Sequence, residues 1–515
     1  MKRWLRPPKG GHYVGVLLLL AAACGHQPRD PNVIVVAIQS GPNNLDPRVG
    51  TDAVSQNIHQ VLFNGVMKID EHLQVVPDLA ERLDNPEPTV YVATLRKGVR
   101  FHDGHELTSA DVVYTFRSIF DPGLINPYRG AYRYIESVEA RDRYTVVFKL
   151  KEPFGSFPVN LVVPQVVPDG APRDFATHPV GTGPYKFVRS VTDDLVEVAS
   201  FKDYFEGAPV NNGLVFKIIP DSIMTGLELR RGTADMVVND PDPDIVHQLE
   251  KDPRLQTETG PGADFQYIGL NLRDPILKDV RVRRALSYAI NRTSIIKYLR
   301  RGLAVPASGL LPAESWAYEP SLPTYGYDPA KARALLDEAG YPDPDGDGPA
   351  MRMHLTLKIQ NLEFPRLQGA VIQQNLRAVG VDVDVRSYEF ATLYADVLNS
   401  NFQMFTLQWV GGAAIDPDIL RRVFHSSQAP PAGFNRGHFM DARVDALLDE
   451  AQRTTDETAR RRLYGEAQQA IADQAPYICL WTKINNVIGQ RTLEGMRVTP
   501  IADYWFLKDV ARRQP

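Results

Sequence analysis

The stretch that most constrains the fold of this 515-residue chain is 354–386, where strand, helix and strand patterns follow one another with short joints. Residues 354–359 read as a strand, 367–379 as a helix stopped by Gly380, and 381–386 as a second strand. Strands joined through a helix cannot pair as a hairpin, so this succession indicates a parallel or mixed sheet covered by helices. The fold class expected is therefore α/β. Neighbouring segments agree. A helix pair over 280–301 carries Val282, Ala285, Leu286, Ala289 and Ile290 at helical spacing. Residues 328–340 carry the stripe Ala332, Leu335, Leu336 and Ala339, and Gly340 ends it. Two more helices are expected at 441–453 and 456–472, and strand composition returns over 477–488.

The first half of the chain is richer in strands. Residues 32–38 are nearly all apolar, and further strands are expected at 91–95, 145–150, 195–199 and 214–219. A helix over 111–120, capped from Thr108 and Ser109, carries Val112, Val113, Phe116 and Phe120 on its apolar face. No internal repeat is present. A chain of this length exceeds one ordinary core, so two or three domains are expected.

The opening 24 residues stand apart as a targeting segment. Lys2, Arg3, Arg6 and Lys9 precede an apolar run over 14–23, too short to span a bilayer, which ends in Ala22-Ala23-Cys24-Gly25. Small residues before a cysteine resemble a bacterial lipobox, with Cys24 the lipidated residue; Ala21 departs from the leucine usual at that place. Residues 25–31 read as a tether. Cys479 is the only other cysteine and lies in an apolar run, so it is expected as a small core residue. With 62 acidic and 57 basic residues the net charge is −5, which offers no basic stripe for nucleic acid.

Several segments, in order, are similar to the extracytoplasmic solute-binding proteins of the oligopeptide, dipeptide and nickel type (solute-binding protein family 5). They are Val76-Pro77-Asp78-Leu79-Ala80-Glu81; Leu95-Arg96-Lys97-Gly98 through His102-Asp103-Gly104 and Thr108-Ser109-Ala110-Asp111; and His178-Pro179-Val180-Gly181-Thr182-Gly183-Pro184-Tyr185. Asp279-Val280-Arg281 through Ala285-Leu286, with Tyr288-Ala289-Ile290-Asn291-Arg292, matches the most recognisable helix, and 328–343 fits as well. The resemblance implies a two-lobed periplasmic-binding-protein clamp with mixed sheets. Lobe one would comprise 32–268 plus 482–515, with an inserted subdomain near 66–179, and lobe two 269–481. The hinge would lie near Leu270-Asn271 and Trp481-Lys483. The implied partners are a peptide or similar small solute, ABC permease subunits, and a membrane through lipid on Cys24. The protein would be an extracytoplasmic monomer without cofactor, metal or catalytic residue.

For the cleft, the resemblance implies Trp409 as an aromatic wall, with Asp416 as the second acid of the same segment. The acid that would meet an α-amino group is replaced by Gly412. Asn435 falls beside the ligand, and Arg436 could pair bidentately with a carboxylate or phosphate. Trp481, Tyr128 and Tyr132 are further aromatic candidates. Either the solute lacks an amine or another acid serves it. A sensory or envelope-interaction protein that kept the clamp remains the alternative, as does a receptor for a metal chelate or a sugar.

Other constellations fail on spacing. His102, His105 and Glu106 lack the second histidine of a zinc motif, since Ser109 stands there. Asp343, Asp345 and Asp347 open like a calcium loop, yet its twelfth position is His354. Gly181-Thr182-Gly183-Pro184 lacks the third glycine of a dinucleotide fingerprint, and neither a Gly-x-Ser-x-Gly elbow nor a Walker lysine occurs.

Overall fold

The structure, a computed structural model, describes residues 30–124, 126–239, 241–346, 348–410 and 416–513, without the side chain of Tyr128. The first apolar run forms β1 (Val33–Ile38), buried after its first residue. Helix α1 (Ala53–Leu62) follows, with Asp52 capping it by accepting from Ser55 N–H. Strands β2 (Met67–Ile69) and β3 (Val75–Pro77) pair as a small ribbon. A separate antiparallel sheet then forms from β4 (Ala80–Glu87), β5 (Val90–Leu95), β6 (Ile135–Asp142) and β7 (Thr145–Leu150), in the order β4-β5-β7-β6. Helix α2 (Ser109–Ser118) packs on it and starts at a capping box, in which Thr108 and Asp111 accept each other's backbone N–H. The core of this unit includes Tyr132, Phe116, Phe148 and Phe157.

The chain next contributes β8 (Tyr185–Val191), β9 (Leu195–Ser200), β10 (Gly213–Ile218), α3 (Ser222–Arg231), β11 (Met236–Val238), α4 (Pro243–Leu249) and the long β12 (Leu255–Leu270). There follow α5 (Val280–Ala289), α6 (Arg292–Leu299), β13 (Ala304–Pro306), α7 (Pro329–Glu338), β14 (Met353–Gln360), α8 (Glu363–Arg377), β15 (Val381–Tyr388), α9 (Phe390–Leu398) and β16 (Met404–Trp409). The last elements are α10 (Ile419–Phe424), α11 (Ala442–Arg453), α12 (Glu457–Gln474), β17 (Tyr477–Gln490), β18 (Leu493–Glu494) and β19 (Ala511–Arg512). The strand–helix–strand unit expected over 354–386 is β14-α8-β15, and its strands are parallel with Met353 opposite Val381.

Among the described residues one sheet of eleven strands runs β15-β14-β16-β12-β17-β11-β1-β10-β9-β8, with β13 beside β17. Its two halves are joined through β12 and β17. They pair from Leu255↔Gln490 to Pro261↔Ile484, lose register, and resume from Phe265↔Thr482 to Gly269↔Tyr477. At the break a Cβ on Gly262 would stand 2.5 Å from the Lys483 carbonyl oxygen, so only glycine lets the backbones approach. On the β14–β15 side, the core of α5 to α8 covers one face and that of α10 to α12 the other. On the β1–β10 side, the last residues complete the core. Tyr504 stacks on Phe216 at 5.6 Å, and Tyr185 Oη donates to the Leu507 carbonyl at 3.0 Å.

Two arginines are buried at the foot of the α5–α6 pair. Arg283 donates to the carbonyls of Gln474, Ala475, Leu277 and Lys278, and Arg292 to those of Cys479, Ser287, Ile290 and Tyr325. Burial pulls both guanidinium groups down to about 10. The Cys479 thiol is pushed up to about 11 by its surroundings, as befits an inert packing residue.

Candidate functional site

Antiparallel pairing of β16 with β12 sets Trp409 opposite Phe265, at the end of the strand and on the α10–α12 face. There Trp409 meets Phe434 edge-on at 5.4 Å and lies parallel to Tyr267 at 6.5 Å. Arg436 fills the middle of this group. Its guanidinium is 4.9 Å from the Trp409 ring, 5.2 Å from Tyr394 and 5.5 Å from Phe434. Nη1 donates to Tyr267 Oη at 3.0 Å and Nη2 to Tyr394 Oη at 3.2 Å, while Nε makes no hydrogen bond. Arg436 is thus an internal cation in an aromatic cage, rather than a free fork on a loop. Asn435 is buried and staples its own loop: Nδ2 donates to the His425 and Phe439 carbonyls, and Oδ1 accepts from Phe439 N–H. That arrangement uses its amide fully for positioning.

Asp416 lies where the segments around Ser156 and Arg460 meet. Its Oδ1 accepts from Ser156 Oγ at 2.7 Å and from Asp418 N–H at 2.8 Å. Arg460 Nη2 donates to the same Ser156 hydroxyl at 2.6 Å, and its guanidinium rests 5.1 Å from the Trp316 ring. Next to them Gly155 N–H donates to the Gln452 carbonyl at 2.7 Å. A Cβ on Gly155 would come within 2.0 Å of the Thr454 carbonyl oxygen, so this approach requires glycine. Asp418 beside them is pushed up to about 7, first by burial and then by the charge of Asp416.

Other candidates fall elsewhere. Trp481 is 2% exposed, packs in the core under α5 to α8 and meets Phe364 edge-on, so core packing occupies its ring. Tyr132 is equally buried; its Oη donates to the Asn160 carbonyl at 2.8 Å and its ring abuts Phe116. The cluster at Trp409 therefore includes neither. Cys24, Gly412 and the side chain of Tyr128 lie outside the described residues. His102 serves the turn: Nδ1 accepts from Gly181 N–H at 3.2 Å and Nε2 lies 3.1 Å from the Gly183 carbonyl, so burial keeps the ring neutral at about 4. Among the described residues no group of three or more His, Cys, Asp or Glu is placed to hold a metal. Where β12, β13 and β17 meet, a cavity of about 360 Å³ is lined by Gly260, Gly262, Val305, Glu314, Tyr318 and Thr482.

The residues that sequence reasoning missed are Ser156, Arg422, Phe434, Arg460 and Tyr394. Phe434 lies within the segment that carries Asn435 and Arg436 but was not itself singled out; the others belong to no local motif, and only Gly155 between Phe154 and Phe157 marks a place where a loop must approach another backbone.

Residues 74–431 match the family model of bacterial extracellular solute-binding proteins, family 5. The glutathione-binding protein GsiB of Pectobacterium atrosepticum is 30% identical over 479 residues, covering 90% of this chain and 91% of that protein. The oligopeptide-binding protein AppA of Bacillus subtilis, solved with a nonapeptide, has a TM-score of 0.75 at 28% identity, over 93% of this chain and 99% of that one. NikZ of Campylobacter jejuni, solved with Ni(L-His), has a TM-score of 0.77 at 26% identity, over 94% and 100%.

Proposed function

The chain belongs to the bacterial extracellular solute-binding proteins of family 5, and from that we propose that it is the receptor of an ABC importer, taking up a peptide or peptide-sized solute between its lobes. The observation that carries this reading is the pairing of an aromatic cluster, Trp409 with Phe434, with a lobe-to-lobe contact through Ser156, Asp416 and Arg460. Rings give broad contact area without demanding one side chain, which suits a permissive receptor. A solute enclosed there would stabilise the closed form only through contacts to both lobes. The lobes are taken as 32–268 plus 482–515, with the insert at 66–179, and as 269–481. The hinge is taken near Leu270-Asn271 and Trp481-Lys483, close to where β12 and β17 lose register between Pro261 and Phe265. Support for solute class comes from relatives named for glutathione and solved with a nonapeptide.

In this reading Cys24 carries the lipid that tethers the protein outside the cytoplasm. Metabolic labelling with a fatty acid tests it: label on the native chain and none on Cys24→Ser is the expected result, and an unlabelled native chain overturns it. The receptor reading is tested by native mass spectrometry of protein purified from a bacterial host, followed by denaturation and identification of what is released. A ladder of peptide masses is expected. A single non-peptide mass sinks the peptide class. A second reading, a non-peptide solute such as a metal chelate, is favoured by Gly412 standing where the amine-binding acid would be, and by the Ni(L-His) bound in NikZ.

A further inference from the structure

The first and last described residues meet beside the start of β1. Pairing of β18 with β19 sets Arg512 opposite Leu493, and Arg513 N–H donates to the Thr492 carbonyl at 2.8 Å. Arg512 Nε donates to the Pro31 carbonyl at 2.7 Å, and its Nη2 pairs with Asp235 at 2.5 Å. Asp235 in turn accepts from Val35 N–H, and Asp30 accepts from Asn212 Nδ2, both at 2.8 Å. At the same corner a depression of about 590 Å³ is lined by Arg230, Arg231, Arg254, Arg491 and Arg513. Among the described residues two carboxylates pair with these five guanidinium groups. Asp252 lies 2.6 Å from Arg254 and 3.7 Å from Arg230, and Glu494 lies 2.7 Å from Arg513. Arg491 is exposed and donates to the Pro253 and Leu255 carbonyls; Arg231 is exposed at the end of α3. Glu228, one turn before Arg231, is engaged by Lys217 at 2.6 Å.

Five arginines against two carboxylates leave a local excess of three positive charges, in a chain whose net charge is −5. Six chain steps lead from Cys24 to Asp30, and even fully extended they reach only about 20 Å. Lipid on Cys24 would keep this corner nearest the bilayer, able to come within the roughly 8 Å over which charges act at physiological salt. The guanidinium fork matches a phosphate, and each arginine near an anionic surface strengthens association about fivefold. We propose that this arginine corner is a second membrane contact, docking on anionic phospholipid headgroups beside the lipid tether. Its placement rests on the Cys24 tether, and it adds to the receptor reading without changing the solute. A tether alone limits distance, whereas a second contact also fixes how the body is turned toward the membrane.

Co-sedimentation with vesicles tests it, using the chain without its first 24 residues, which keeps every described residue and carries no lipid. Vesicles of phosphatidylcholine with about 30% phosphatidylglycerol are set against phosphatidylcholine alone. At about 50 mM salt the anionic vesicles are expected to bind the protein about tenfold or more tightly, and about 0.5 M salt to release it. Arg231→Gln combined with Arg513→Gln should lower that binding about tenfold or more, with thermal unfolding unchanged. Arg377→Gln combined with Arg443→Gln, exposed on α8 and α11, changes net charge equally and should leave binding as it is. Equal binding or none on the two vesicles, or an equal response of the two double variants, overturns the proposal. Retention on immobilised decaglutamate without retention on anionic vesicles overturns it too, and assigns the corner to an acidic protein. Fatty-acid labelling of Cys24 is read separately, so failure of the tether and failure of the corner are distinguishable.

Discussion

The same residue type plays two parts on opposite faces of the β14–β15 half of the sheet. Under α5 and α6, Arg283 and Arg292 each donate to four backbone carbonyls. On the face of α10, Arg436 keeps one N–H unpaired, and Arg422 has no ion pair among the described residues. The first pair completes the fold by capping chain ends that would otherwise be buried unsatisfied. The second pair is stabilised mainly by aromatic faces, which hold a cation without using up its donors. An arginine's role is thus read from how many donors remain open, and burial alone does not separate the two.

The largest effect should come from breaking the saturated side. Arg292→Met takes a side-chain donor from four carbonyls, of which that of Ile290 keeps the residue-292 backbone N–H, and is expected to cost about 3 kcal/mol or more, seen as a clear fall in the melting temperature with solute binding per folded molecule unchanged. Arg436→Leu should fall between the two classes. It loses two bonds to phenol oxygens and its ring contacts, about 1–2 kcal/mol of stability, and weakens solute binding too; calorimetry with a co-purified solute reads both. If binding is untouched, Arg436 joins the packing class.

A smaller effect is expected at the seam. Ser156→Ala removes the hydroxyl shared by Asp416 and Arg460, shifting the closure equilibrium by about 1 kcal/mol, roughly fivefold toward open. Small-angle scattering of the solute-free protein would show an increased radius, and an unchanged radius would deny that the contact governs closure. The smallest effect concerns Asp418, whose carboxyl titrates at about 7 when folded against an ordinary 3.8. The native state binds the extra proton across that window, so stability falls as pH rises from about 4 to 7 and is level above it. Asp418→Asn should flatten that decline in melting temperature, leaving the part due to Asp78, whose burial also lifts it to about 7.

What could be read from the chain followed local period. The β14-α8-β15 unit and the α5–α6 pair were legible because each buries one regular stripe. The strand β12 was not, because Gly260, Pro261 and Gly262 spell a turn, and only pairing with β17 on both sides of the break keeps them extended. Trp409 was singled out through a motif, and the structure gives it aromatic neighbours. Ser156 and Asp416 are 260 positions apart, and Ser156 and Arg460 304, so only the fold brings them together. Trp481 and Tyr132 show the converse limit: an aromatic residue in sequence looks the same whether its ring faces a cleft or a core.

The way β17 and the last residues complete the β1–β10 core sets a timetable for synthesis. Val237 pairs with Ile488, Phe216 needs Tyr504, and Tyr185 needs the Leu507 carbonyl. While residues near 490 to 510 are still unmade, the earliest-made half lacks a central strand and one wall of its core. A nascent chain in that state has long-range contacts it cannot yet form, so completion of the β1–β10 core waits for β17 and residues 504–507. A core left open until those residues are made is one that an export channel can still thread.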